Sequence, residues 1–209
     1  MPYLGNEVAP LVQALEGKEL KLDSDGDSSI QAITDDTVVF KTNGSNRWTL
    51  NSSGNLFPAS TSQGIVLGAT SDTSANRLED FEQGTFTPLI VGTSSAGDYS
   101  NKTQIGRYQK IGRNVYCFLL FNGSSGTGSG NVKITGLPFI IASGTGGVTA
   151  IQYNNNFDLP TGANTPMLYL DPGTSYATTR CNMDAASHTP LPYPSTSNYL
   201  RCNFFYETV

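Results

Sequence analysis

Residues 113–121 read RNVYCFLLF, and this run limits the choice of fold more than any other stretch of the chain. Successive side chains of a strand point to opposite faces. Val115, Cys117, Leu119 and Phe121 then share one face, and Tyr116, Phe118 and Leu120 share the other. A strand that is apolar on both sides is a central strand covered on both faces, by a second sheet or by a neighbouring subunit. Further strands are predicted at TFTPLIV (85–91), GRYQKIG (106–112), NVKITGL (131–137), GVTAIQY (147–153), MLYLD (167–171) and YLRCNFFYE (199–207). In the last of these, Leu200, Cys202, Phe204 and Tyr206 alternate with Tyr199, Arg201, Asn203 and Phe205. The glycine-serine stretches GSSGTGSGN and SGTGG fall between strands as loops. About seven strands with no helical period predict an all-β protein, with a jelly-roll-like β-sandwich over residues 85–209.

Upstream the pattern is different. Residues 21–76 hold short apolar runs separated by turn signals, and the turn-centred glycines Gly44, Gly54 and Gly64 recur ten residues apart. Val38 and Phe40 alternate in TVVFKT, Trp48 and Leu50 in RWTL, and Ile65 and Leu67 in GIVL. Strands this short bury too little apolar surface to offset the entropy of ordering them. One large residue per strand makes a stripe, not a core. Val38, Phe40, Trp48, Leu50, Leu56, Ile65 and Leu67 are therefore the candidate core of an intertwined trimeric β-shaft, in which three stripes meet on a common axis. A dimer, or docking on the C-terminal domain, would meet the same need. Residues 1–20 have helical spacing only from Ala9 to Leu20, too short to stand alone, and form an expected attachment or capping segment. Residues 77–84, RLEDFEQG, are the expected linker.

Composition narrows the function classes. Hydrophobic residues make up 37% of the 209-residue chain and charged residues 14%, so Ser, Thr, Asn and Gly carry the surface. The net charge of −5 is uneven: residues 1–82 hold 12 acidic and 5 basic side chains, and residues 83–209 hold 5 and 7. With no basic cluster to neutralise phosphates, a nucleic-acid partner is not expected. No apolar run approaches the length of a membrane span, so no membrane insertion is expected either. Cys117, Cys181 and Cys202 are odd in number, form no C-x-x-C, and follow no apolar leader after Met1. These features predict synthesis in a reducing compartment, with Cys117 and Cys202 buried as small hydrophobes.

Catalytic and metal-binding patterns fail on spacing. DSDGD offers Asp23, Asp25 and Asp27, but a calcium loop of the helix–loop–helix type needs Gly at its sixth position and Glu at its twelfth. Here Gly26 is fourth and Thr34 is twelfth, so a solvated acidic turn is predicted. Glu79, Asp80 and Glu82 are adjacent, whereas glycosidases hold two carboxyls facing each other about 5–9.5 Å apart. Nothing in the sequence pairs them with Asp98, Asp158, Asp171 or Asp184. The sole histidine, His188, is predicted to be a loop residue; GSSGTGSG lacks the lysine of a phosphate loop, and Ser143 and Gly144 lie in no nucleophile-elbow pattern. No enzymatic activity, metal or cofactor is expected. Binding chemistry is better represented. Glycan sites stack exposed aromatics on sugar faces and hydrogen-bond hydroxyls through amides. IQYNNNFDLP supplies Tyr153, Asn154, Asn155, Asn156 and Asp158, and HTPLPYPSTSNY supplies Tyr193 and Tyr199. Each tyrosine has the competing role of a partly buried packing residue.

Residues 33–58, ITDDTVVFKTNGSNRWTLNSSGNLFP, resemble a segment common in phage tail-fibre and virion appendage proteins. There a short strand, Asn-Gly, an Arg-aromatic-Thr strand and a Ser-Gly-Asn turn follow in order. Residues 62–88 look like the linker that follows it, ending in Gly-Thr-aromatic-Thr-Pro. YSNKTQIGRYQKIGRNVYCFLLF with NVKITGLPF resembles the C-terminal β-domain of the same proteins at Gly106–Tyr108, Ile111–Gly112, Val115 and Gly136–Pro138. The resemblance covers residues 33–138 and, loosely, Tyr199–Tyr206. It implies a homotrimer, located in the virion's tail or another external appendage and made in the host cytoplasm. Its N-terminal segment would meet other virion proteins, and its C-terminal domain would bind host-surface polysaccharide or lipopolysaccharide. An architectural appendage without receptor contact and a polysaccharide-cleaving appendage are the alternatives. Residues 139–198 match nothing in the family, so the resemblance supplies no ligand residue.

Overall fold

The computed structural model describes residues 18–73, 76–78, 80–157, 159–183 and 186–209. Of the helix expected over Ala9–Leu20, residues 9–17 lie outside them and Leu20 begins a strand; Glu79, Asp158 and Asp184 also lie outside. Every element of regular length among the described residues is a β-strand, and the protein is all-β. Two compact units divide between Glu79 and Asp80.

The first unit contains strands β1 (Leu20–Lys21), β2 (Ser29–Thr34), β3 (Thr37–Thr42), β4 (Ser45–Leu50) and β5 (Leu56–Pro58), hydrogen-bonded in chain order as an antiparallel meander. A two-stranded sheet of β6 (Ile65–Val66) and β7 (Arg77–Leu78) follows. The β3–β4 hairpin turns on Asn43-Gly44, both at positive φ (51° and 64°). That conformation twists with the strands it joins, which is why Asn-Gly is the strongest short hairpin signal. At the next turn the Asn51 side-chain oxygen accepts hydrogen bonds from the backbone N–H of Ser53 and Asn55 (3.1 and 3.0 Å).

Register sets several residues of the stripe opposite one another. Phe40 lies opposite Trp48, which lies opposite Pro58; Val38 lies opposite Leu50, which lies opposite Leu56. The covered residue of β3 is nevertheless Val39, fully buried, on the face opposite this stripe, while Phe40, Leu50 and Leu56 are exposed. Ile65 and Leu67 do not extend the stripe: Ile65 belongs to the β6–β7 pair, Leu67 lies just beyond it, and both are exposed.

The second unit contains strands β8 (Phe81–Phe86), β9 (Leu89–Gly92), β10 (Ser100–Ile111), β11 (Asn114–Ser124), β12 (Val132–Thr135), β13 (Val148–Ala150), β14 (Tyr153–Asn155), β15 (Ala163–Leu170), β16 (Ala177–Met183), β17 (Ala186–Pro190) and β18 (Asn198–Glu207). One sheet has the order β14-β18-β11-β10-β8; the other has the order β13-β15-β16-β12-β9, with β17 paired to β16. Both contribute to a single core. Val115, Cys117, Leu119 and Phe121 of β11 and Leu200, Cys202, Phe204 and Tyr206 of β18 meet Ile90, Val132, Ile134, Leu168 and Leu170 of the second sheet.

Three expectations change here. The run 85–91 is two strands in different sheets, broken at Thr87-Pro88, because proline has no N–H to continue a ladder. Residues 81–84, expected in the linker, form the first four of the six residues of β8 and pair with β10, Glu82 opposite Lys110 and Gln83 opposite Gln109. An edge strand needs backbone bonds on one side only and tolerates polar side chains, so its composition reads as linker. Thirdly, among the described residues β11 is fully covered on one face only: Tyr116 is 52% exposed and Phe118 and Leu120 are half-buried.

Candidate functional site

The outer face of the β14-β18-β11 part of the sheet brings together three of the predicted ligand residues, Tyr153, Asn155 and Tyr199. Antiparallel register sets Asn155 opposite Tyr199, and Tyr199 opposite Asn122 of β11, making one row across three strands. In the next row Tyr153 lies opposite Arg201. Since side chains two apart share a face, Tyr153, Asn155, Tyr199 and Arg201 converge. They line a cleft of about 420 Å³ together with Asn122, Ser197 and Asn198. The rings of Tyr153 and Tyr199 meet edge to face, with centroids 5.0 Å apart at 86°. Tyr153 is 57% exposed, so one aromatic surface stays open to solvent.

The other predicted residues have different roles. Asn154 lies opposite Leu200, on the strand face that points away from the cleft. Asn156, at φ 64°, donates from Nδ2 to both the carbonyl oxygen and Oγ of Ser197 (2.8 Å each), tying the end of β14 to the cleft wall. Asp158 is outside the described residues. Tyr193 is corrected from the binding rim to the core: it is only 8% exposed and its ring lies 5.2 Å from that of Tyr99. Tyr99 is itself buried, and burial holds its hydroxyl far above the ordinary tyrosine range. That hydroxyl donates to the Pro194 carbonyl (2.9 Å), which anchors the 192–197 loop beneath the cleft. Asn198 is also buried, and neither its Oδ1 nor its Nδ2 has a hydrogen-bond partner among the described residues.

Asn122, Ser197, Asn198 and Arg201 are the lining residues that sequence reasoning missed. Arg201 carried the available signal, since it alternates outward in the predicted strand YLRCNFFYE, two residues from Tyr199.

Along the same face lies a second depression of about 490 Å³, bordered by Arg107, Tyr116, Phe118, Asn203 and Phe205. The Asn203 side chain donates to Gln152 Oε1 (3.0 Å), linking β18 to the β13–β14 connection. This surface combines open aromatic rings, amides able to donate and accept, and fixed positive charge. Its chemistry suits a polar, ring-bearing ligand spread over a shallow face.

The acidic and histidine motifs resolve differently. Asp80 pairs with Lys110, and Glu82 accepts from the Tyr108 hydroxyl, so both hold the edge of the sheet. The carboxylates of Asp23, Asp25 and Asp27 come within 4.8 Å of one another in an exposed turn. The Ser28 hydroxyl holds the Asp23 carboxyl below its ordinary range, and Asp23 Oδ1 accepts from the Gly26 N–H (3.0 Å). His188 stacks on Tyr169 (6.0 Å, 21°) and meets Arg180, on the sheet opposite the cleft. Cys117 and Cys202 are buried free thiols, and burial pushes each up to about 12.

No protein-family model matches the chain, and no curated protein matches it. Among solved structures it is similar to the crystal structure of the Dettilon tailspike protein (gp208), at 24% identity and a TM-score of 0.50. The likeness covers 61% of this chain and 24% of the tailspike's length, so this chain spans about a quarter of that protein. It is a likeness of fold: an all-β, tailspike-like arrangement.

Proposed function

We propose that the chain is a phage tail fibre or related virion appendage that attaches to host-surface polysaccharide or lipopolysaccharide through residues 80–209. The observation that carries this reading is the cleft on β14 and β18, where two tyrosines in edge contact, neighbouring amides and an arginine share an open face. Aromatic surface stacks on the C–H face of a sugar, and amides satisfy its hydroxyls as donor and acceptor together. The tailspike-like fold supports the virion setting.

In this reading the protein is a homotrimer in an external appendage, with a jelly-roll-like outer domain and an N-terminal segment that meets other virion proteins. The row Phe40–Trp48–Pro58 and the row Val38–Leu50–Leu56 give three copies an apolar stripe to bury together. The protein binds glycan and does not cleave it; among the described residues, those lining the cleft include no carboxylate to act as acid or nucleophile.

The test is retention of the intact chain on an array of bacterial surface polysaccharides. Binding by the native protein, lost in Tyr153→Ala with the melting temperature unchanged, is the expected result. Native protein retained by none of the polysaccharides would defeat the proposal.

A further inference from the structure

The sheet face that holds the cleft has a charge pattern that specifies its ligand further. β18 presents Tyr199, Arg201, Asn203 and Phe205 outward, and alternate residues of a strand are about 7 Å apart. This row carries the cleft into the second depression without leaving the face. On β11, Phe118 lies opposite Asn203 on one side and Arg107 of β10 on the other. The guanidinium carbon of Arg201 is 5.6 Å from the centre of the Phe118 ring. Arg107 and Arg201 therefore both sit beside Phe118 on one open face, on the strands either side of β11.

Their surroundings set them apart from four of the unit's five other cations. Lys102 pairs with Asp98, Lys110 with Asp80, Arg113 with Glu207 and Arg180 with Asp171. Among the described residues, Arg107 and Arg201 have no carboxylate partner and the two depressions are lined by no carboxylate. Contact with the Phe118 ring accounts for where the Arg201 side chain rests. It leaves the planar N–H fork, which matches carboxylate and phosphate geometry, without an anion.

We infer that this face takes an anionic sugar chain bearing carboxylate or phosphate groups, with Arg201 and Arg107 pairing its charges and Tyr153, Tyr199 and Phe205 stacking on its rings. The inference rests on the glycan-binding reading above. A second copy fits the face less well. A twofold pairing would set each arginine against the same uncompensated surface and bury charge without a counter-ion.

The experiment uses the intact chain and an array of neutral, uronate-bearing and phosphate-bearing bacterial polysaccharides. Each acidic polysaccharide retained is then compared with its carboxyl-reduced or dephosphorylated form, which separates the two sources of charge. Acidic members are expected to bind, with affinity falling as salt rises. Neutralising the retained ligand, or substituting Arg201→Gln or Arg107→Gln, should each weaken binding about tenfold. Lys133→Gln removes a cation that also lacks a carboxylate but lies over Tyr176 on the other sheet, and it should change nothing. Neutral and acidic members bound alike, with the arginine variants unaffected, would overturn the inference and leave the glycan reading standing. No retention of any member would overturn both. A changed oligomeric state in Arg201→Gln or Arg107→Gln, read by light scattering, would also overturn it by assigning the face to contact between copies.

Discussion

The two faces of β11 give a direct measure of which surface is core and which is open. Leu119 is fully buried between the sheets, while Tyr116, three residues earlier on the opposite face, is 52% exposed. Leu119→Ala removes atoms from a packed interior and leaves a cavity, at a cost of about 2–5 kcal/mol. For a unit the size of residues 80–209, each kcal/mol moves the melting temperature by roughly 3–5 °C, so the expected fall is on the order of 10 °C. Tyr116→Ala loses only the covered part of its ring, including a tilted contact with Phe205 at 6.1 Å, and should cost about 1 kcal/mol. Scanning calorimetry of the full chain measures both, and urea midpoints at unchanged slope confirm that stability alone has shifted. Equal losses for the two variants would refute the assignment of the Tyr116 face as open. A Tyr116→Ala loss that grows on dilution would mean that another copy covers it.

Other outcomes follow from the same packing. Burial raises Cys117 and Cys202 from 9.0 to about 12, so both thiols are neutral in the fold and ionise more readily when unfolded. Their contribution is therefore fully present below pH 9 and is lost as pH rises toward about 12, an alkaline decline that Cys117→Ser/Cys202→Ser should flatten. Native protein at neutral pH should give no thiol reaction until urea is added. Gly44→Val places a β-branched residue at φ 64° in the β3–β4 turn and should cost about 1–2 kcal/mol in thermal unfolding, although nothing lies within 4 Å of a Cβ placed there. Asp80→Asn removes the Lys110 pair at the sheet edge and should shift stability by under about 1 kcal/mol, because Asp80 is half-exposed.

Legibility followed the strength of the alternation. β11 and β18 are long, strictly period-two and apolar inward, and their buried residues were readable one by one. Strand β16 was not, because Ala177, Thr179 and Cys181 face the core with small side chains and leave a weak hydrophobic signal. In β3 two adjacent valines made either face plausible, and the neighbouring sheet residues, not the pattern, settled it on Val39. Tyr153, Asn155 and Tyr199 were found in the sequence because loop-edge tyrosines and amides suit sugar chemistry. Their convergence with Asn122 was invisible, since it depends on the register of β18 against β11. Tyr193 stood in an equally polar stretch, yet it packs against Tyr99 under the proline-rich loop, a contact across 94 residues of chain. The stretch RLEDFEQG shows the same limit from the other side: Asp80 pairs with Lys110 and Glu82 accepts from Tyr108 to finish a sheet edge.

The central claim is that the β14–β18 face of this protein holds host-surface glycan. Its most direct test is titration of the tightest-binding polysaccharide from the array into the native chain and the Tyr153→Ala/Tyr199→Ala variant. Native affinity reduced at least about tenfold in a variant that still melts normally is the predicted result. Undiminished binding by that variant would contradict the claim.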